Sequence, residues 1–126
     1  MIIGLGIREQ ASLFDILSLY QNIKISNQVI VGIAIWDQKV SLEAVQHFIA
    51  ETKLPLFPLS HKIWGHISTP SFSPLIHNRY SVGSVAEALA IAACKYELNI
   101  QNSIIITPRQ TANSGNVTMA IAGKTL

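Results

Sequence analysis

The residues able to do chemistry in this chain are few, and most of them are cationic. Gly4-Leu-Gly6-Ile-Arg8 closes a short apolar start. Glycines at the end of a first strand permit a tight turn and the close approach of a ligand. The third glycine of the dinucleotide fingerprint is missing, so this is not that motif, and no cofactor is expected. Asp37 and Lys39 follow the next apolar run, and Arg109 follows a later one. If these runs are parallel strands, Arg8, Lys39 and Arg109 share the carboxyl edge of the sheet, where open α/β sheets bind ligands. The turn from Ser81 through Gly83 to Ser84 precedes a helix and presents amides together with the positive end of a helix dipole. These groups predict an anion site for a ligand with several carboxylates or phosphates. The plainer alternative is that each cation is a solvated loop residue.

Glu87 borders the same region. Ser84-Val-Ala-Glu87 has the form of a capping box, in which Ser84 caps the Glu87 amide and Glu87 reaches back to the Ser84 amide. That explains a glutamate with no further role. A catalytic role requires the carboxylate to leave the cap when ligand binds. His61, His66 and His77 lack the tight spacing or the neighbouring cysteines of a zinc site, so no metal is expected. No G-x-S-x-G elbow is present for a serine nucleophile.

The elements that must position these residues are legible from periodicity. Ile2–Ile7 reads as a buried strand. Ser12 to Asp15 has the S-x-x-D form of a helix start, and Leu13, Leu17 and Tyr20 continue at helical spacing to about Asn22. Val29–Trp36 is apolar on both faces, as in a central strand covered on both sides. A helix opens at Ser41, with Glu43 in its first turn, and ends at Lys53 and Pro55. Leu56–Leu59 returns as a third strand. From Ser60 to Gly83 the pattern breaks down into a long connection, with a helical turn or two over His61–Ile67. Val85 to Cys94 is apolar at every position but Glu87 and rich in alanine, which marks a buried helix. Ser103–Thr107 and Val117–Ala122 are the last two strands, joined by a polar stretch in which Gly115 and Asn116 suit a hairpin turn. Strands alternating with helices predict a three-layer α/β/α domain with a mainly parallel five-stranded sheet and an antiparallel last strand.

Composition narrows the class further. The chain has 126 residues, 49% of them hydrophobic and only 13% charged, which excludes disorder and predicts one domain over 1–126. Nine Lys and Arg against seven Asp and Glu leave a net charge of +2 with no basic run, so nucleic acid is not expected as a partner. No apolar run approaches the roughly 20 residues that span a membrane, and the N-terminus lacks the form of a signal peptide. One cysteine, Cys94, fits a reducing cytoplasm. So apolar a small domain leaves room for a homodimer.

The motifs taken in order carry a resemblance. Gly4 to Arg8, Ile35-Trp-Asp-Gln-Lys39, Thr69-Pro-Ser71, Gly83-Ser-Val-Ala-Glu-Ala-Leu-Ala90 and Thr118-Met-Ala-Ile-Ala122 resemble the CobE family, which matches the C-terminal domain of CbiG. Both belong to cobalamin biosynthesis, and the resemblance spans essentially the whole chain. It implies a precorrin or cobalt-precorrin ligand, a macrocycle rimmed with acetate and propionate groups. CbiG proteins open the δ-lactone of cobalt-precorrin-5A and release acetaldehyde, whereas the chemical role of stand-alone CobE proteins is less defined. The resemblance puts Gly4, Gly6, Arg8, Lys39, Glu87 and Thr118 in the site. Two positions depart from its pattern: Ile7 stands where the family usually has cysteine, and Arg109 where it tends to have lysine. Arginine keeps the charge and grips a carboxylate bidentately. CbiG also carries additional N-terminal sequence that this chain lacks.

The reading that follows has Arg8, Lys39 and Arg109 pairing with ring carboxylates and Ser81, Gly83 and Ser84 donating amides. The His61–Tyr80 loop, with Trp64 and Phe72, covers the macrocycle face. If the chain is a lactone hydrolase, Glu87 is the general base, and Arg8 or Lys39 stabilises the oxyanion. Two other readings stay open. One is a non-enzymatic carrier or a partner of other cobalamin-pathway enzymes. The other is an unrelated small α/β protein whose glycines and cap are structural.

Overall fold

The computed structural model describes residues 1–23 and 29–124. Five strands, β1 (Ile2–Ile7), β2 (Gly32–Trp36), β3 (Leu56–Leu59), β4 (Ser103–Thr111) and β5 (Val117–Lys124), form one sheet in the order β3-β2-β1-β5-β4. β1, β2 and β3 are parallel, and β5 is antiparallel to both β1 and β4. This is the expected α/β/α fold with its antiparallel last strand.

Alternation along the strands assigns the two faces. Ile3 and Leu5 of β1, Ile33 and Ile35 of β2, and Met119 and Ile121 of β5 point to one side. There α1 (Leu13–Ile23) and α2 (Glu43–Thr52) cover them with Ile16, Leu19, Val45 and Phe48. Ile2, Ala34 and Ala122 point to the other side, under α5 (Val85–Tyr96) and the single helical turn α3 (His61–Trp64).

The second interface is built of small residues, and this sets the height of α5. A Cβ added to Gly4 would lie 1.8 Å from the Ala86 carbonyl oxygen and 2.8 Å from the Ala90 nitrogen. The helix backbone therefore occupies the space where a side chain would stand. Ala86, Ala88, Ala90 and Ala93 are all fully buried, which is how a helix apolar all round comes to rest directly on a sheet. The first turn of α5 is thereby pressed down beside the carboxyl end of β1.

Three stretches differ from the sequence reading. The expected long connection Ser60–Gly83 contains a further helix, α4 (Pro74–Tyr80). Ser73 caps it by accepting the Ile76 N–H at 3.4 Å, and Pro74 occupies its first turn. A serine cap followed by proline at the first helical position is a known start signal. β2 begins only at Gly32, because Val29 and Val31 are tied instead to Met1: the Met1 amino group donates to the Val29 carbonyl at 3.1 Å, and Val31 N–H donates to the Met1 carbonyl at 2.9 Å. β4 runs on to Thr111, with breaks of register after Ile105 and after Thr107, next to Pro108, which has no N–H to give.

Candidate functional site

The parallel strands β1 and β2 end at the same edge at which the antiparallel β5 begins. Register places Gly6 opposite Thr118 and Ile7 opposite Val117, and the Arg8 N–H continues the ladder to the Asn116 carbonyl at 2.9 Å. A cavity of about 560 Å³ opens over this edge. That volume falls in the usual range for small-molecule sites, about 300–1,000 Å³. Gly6, Arg8, Lys39 and Thr118 line it, together with Glu9 and Gln10 from the turn after β1.

Each cation reaches the cavity for a local reason. Arg8 is the first residue beyond β1. Lys39 closes a 3₁₀ turn, Asp37–Lys39, that folds the chain back on the end of β2, and its ammonium lies 5.9 Å from the centre of the Trp36 ring. Arg79 comes from the last turn of α4, with its guanidinium carbon 5.8 Å from the centre of the Tyr80 ring. Three cations thus face the cavity against one carboxylate, Glu9. Val85, the first residue of α5, adds the amide end of a helix to the wall.

The remaining wall is aromatic. The rings of Trp36 and Trp64 meet edge to face at 5.9 Å, and Trp36 meets Tyr80 in the same way at 5.9 Å. Cations held over aromatic faces at this range are stabilised by the ring quadrupole and stay available to anions. Chemically, the arrangement suits a ligand with a flat apolar body and several negative groups.

The other residues singled out from sequence stand elsewhere. Gly4 lies beneath Ala86 and Ala90. Ser81 ends α4 in the left-handed region, φ 67°, and its N–H donates to the His77 carbonyl. Gly83 and Ser84 are buried, and a Cβ on Gly83 would meet the Ser71 carbonyl oxygen at 2.4 Å. Gly83 thus faces the Thr69–Phe72 segment, and neither it nor Ser84 lines the cavity. Arg109 sits on β4, also outside the cavity lining. Arg79 and Tyr80 are what the sequence reading lacked. Their signal was the Ser73-Pro74 helix start that would have placed them on one turn.

Glu87 is fully buried and differs from the expected box in one half. Ser84 Oγ does accept the Glu87 N–H, at 3.3 Å. The carboxylate, however, turns away to three other donors: Ser71 N–H at 2.8 Å, Ser71 Oγ at 2.7 Å and Arg109 N–H at 2.9 Å. Thr69 Oγ1 donates to the Ser71 carbonyl at 2.8 Å and braces the same loop. A buried carboxylate is tolerated when it is this well hydrogen-bonded and sits in the first turn of a helix. The reciprocal box forms instead at α1, where Ser12 N–H donates to Asp15 Oδ2 at 3.1 Å and Asp15 N–H to Ser12 Oγ at 3.0 Å.

His61, His66 and His77 are exposed. The His61 ring bonds the Tyr80 carbonyl through Nε2 at 2.8 Å, and His77 packs on Phe72. Among the described residues no three His, Cys, Asp or Glu side chains are grouped to hold a metal ion. Cys94 is a buried free thiol whose pKa is pushed up by burial. Among the described residues no helix is long and apolar enough to cross a membrane.

The chain is therefore a three-layer α/β/α domain with a cationic, aromatic-walled cavity at the carboxyl edge of its sheet. Residues 1–122 match the family described as Cobalamin synthesis G C-terminus, and the chain belongs to that family. It is a cobalamin-biosynthesis protein of the CobE and CbiG type. Among the solved structures that share its fold are two from cobalamin biosynthesis. One is CobE, a protein from the cobalamin (vitamin B12) biosynthetic pathway, 17% identical with a TM-score of 0.80, over 96% of this chain and 87% of that one. The other is cobalamin biosynthesis protein chiG from Agrobacterium tumefaciens str. C58, 19% identical with a TM-score of 0.65, over 99% of this chain and 98% of that one. No curated protein matches the sequence.

Proposed function

We propose that the cavity at the carboxyl edge binds a precorrin or cobalt-precorrin intermediate of cobalamin biosynthesis. The observation that carries this reading is the convergence of Arg8, Lys39 and Arg79 around walls formed by Trp36, Trp64 and Tyr80. The cations pair with carboxylates on the ring periphery, and the aromatic rings face the macrocycle. Gly6 has no side chain, and the space one would take is filled by the Thr118 hydroxyl, which stands at the sheet edge in the cavity wall. The compartment is the cytoplasm, a reading supported by a lone cysteine kept as a buried thiol.

Lactone opening by this chain requires a general base and a stabilised oxyanion. Arg8 or Lys39 suits the second task. Glu87, the candidate for the first, is sealed from solvent with three donors on its carboxylate. That observation favours the second reading, a carrier that holds the intermediate for other pathway enzymes without turning it over.

The test is a titration of the purified chain with cobalt-precorrin-5A, following the fluorescence of Trp36 and Trp64 and the mass of the ligand. Saturable quenching with an unchanged ligand mass is the expected result. Quenching with release of acetaldehyde would make the protein a hydrolase. No saturable quenching from folded protein would remove the cavity as a corrin site.

A further inference from the structure

Trp64 is fully buried, and its Nε1 is the one buried side-chain nitrogen or oxygen without a hydrogen-bond partner among the described residues. Buried donors are nearly always paired, because an unpaired one loses its water and gains nothing. The indole ring packs edge to face on Trp36 at 5.9 Å and on His61 at 4.6 Å, contacts that use its bulk and leave its N–H without a role in the fold. Trp64 also lines the cavity. The unpaired donor and the binding site thus coincide in one side chain.

We propose that Trp64 is a specificity residue, whose indole N–H donates to an acceptor oxygen of the bound polyanion. This rests on the reading of the cavity as the ligand site. The nitrogen is covered in the unliganded chain, so the ligand reaches it when the cover shifts. α4 is the element with least to lose by moving. None of its residues is buried and its Tyr80 ring stands 6.3 Å from the Trp64 ring, so a shift of α4 gives up little core packing, at the cost of the 2.8 Å bond between the His61 ring and the Tyr80 carbonyl. A ligand that brings carboxylates to Arg79 on the same turn engages α4 directly. An acceptor at Trp64 then discriminates between ligands of equal charge, because one without an oxygen there leaves the donor unpaired.

The experiment uses cobyrinic acid, a corrin polycarboxylate, as probe against the wild-type chain, Trp64→Phe and Arg79→Ala. Trp64→Phe leaves a cavity in the core and is expected to unfold at a lower urea concentration, so binding is compared where it is still folded, and there it is expected to be about tenfold weaker. In ¹⁵N-tryptophan-labelled protein, the Trp64 indole signal, identified by its absence from Trp64→Phe, should move downfield on adding the probe. Unchanged affinity of Trp64→Phe, with Arg79→Ala weakened, would overturn the role of Trp64 and leave the cavity reading standing. A Trp64 indole signal that stays in place while the wild-type chain binds the probe would overturn it too, because the N–H then meets no acceptor of the ligand. No binding by the wild-type chain would overturn the cavity reading and this assignment with it.

Discussion

The Glu87 carboxylate accepts the backbone N–H of Arg109 at 2.9 Å, joining the start of α5 to β4. The same oxygen, Oε2, takes the Ser71 hydroxyl, and Oε1 takes the Ser71 N–H. One side chain therefore fastens α5, β4 and the loop ahead of α4. Glu87→Gln replaces one oxygen with a donor, and whichever way the amide turns, a backbone N–H loses its acceptor. The expected loss is about 3 kcal/mol, the scale of a charged hydrogen bond plus a stranded donor. Urea unfolding measures it, and a change below about 0.5 kcal/mol would show that the site relaxes without the carboxylate.

Gly4→Ala is expected to destabilise the chain by about 3 kcal/mol or more, since the new methyl meets the backbone of Ala86 rather than a movable side chain. Gly115→Ala provides the comparison. Gly115 has φ +77° in the β4–β5 turn, and nothing lies within 4 Å of the added carbon, so only the conformational cost of about 1 kcal/mol remains. Thermal melts of the two variants should separate clearly. Equal losses would mean that α5 lifts off the sheet to admit the methyl.

The five-stranded, mainly parallel sheet with its antiparallel last strand was legible because short runs apolar on both faces alternate with helical segments; the order of the strands was not read. α5 was legible from its alanines. The cavity was half legible: Gly6, Arg8 and Lys39 follow from strand ends, and Thr118 came from the family resemblance. Arg79 and Tyr80 were not, because α4 buries none of its residues and so shows no apolar stripe; only its Ser73-Pro74 start betrays it. Glu87 misled for a related reason. Ser84 and Glu87 at three-residue spacing read as a reciprocal pair, but the better donors come from Ser71 and Arg109, far off in sequence. Spacing reports local partners only.

Asp15 carries a pH prediction. Its pKa is lowered, first by the hydrogen bond from the Ser12 backbone and further by the hydroxyls of Ser12 and Ser114, with partial opposition from desolvation. A depressed carboxylate stabilises the folded chain above its ordinary pKa and loses that contribution as pH falls through the folded value. Asp15→Asn should therefore be less stable than wild type near neutrality and should converge with it below about pH 4. Urea midpoints of both chains from pH 7 down to pH 2 test this, and a constant gap across the range would refute it.

Arg79→Ala and Arg109→Ala separate the cavity from the wider sheet edge. Arg79 lines the cavity, whereas Arg109 contributes its backbone N–H to Glu87 and lies outside the lining. The Arg109 N–H survives replacement by alanine, so that variant should fold and bind a corrin polycarboxylate with nearly wild-type affinity. Arg79→Ala should bind about tenfold more weakly, as expected for loss of one charge-assisted contact. Arg79→Lys should fall between them, keeping the charge without the planar fork. Because Arg79 is exposed, its contribution should shrink with salt as the screening length falls from about 10 Å at 0.1 M toward about 3 Å at 1 M. Isothermal titration at the two salt concentrations gives all three comparisons. If Arg109→Ala weakens binding as much as Arg79→Ala, the ligand lies across the Glu87 side of α5 and is not confined to the cavity that Arg79 lines.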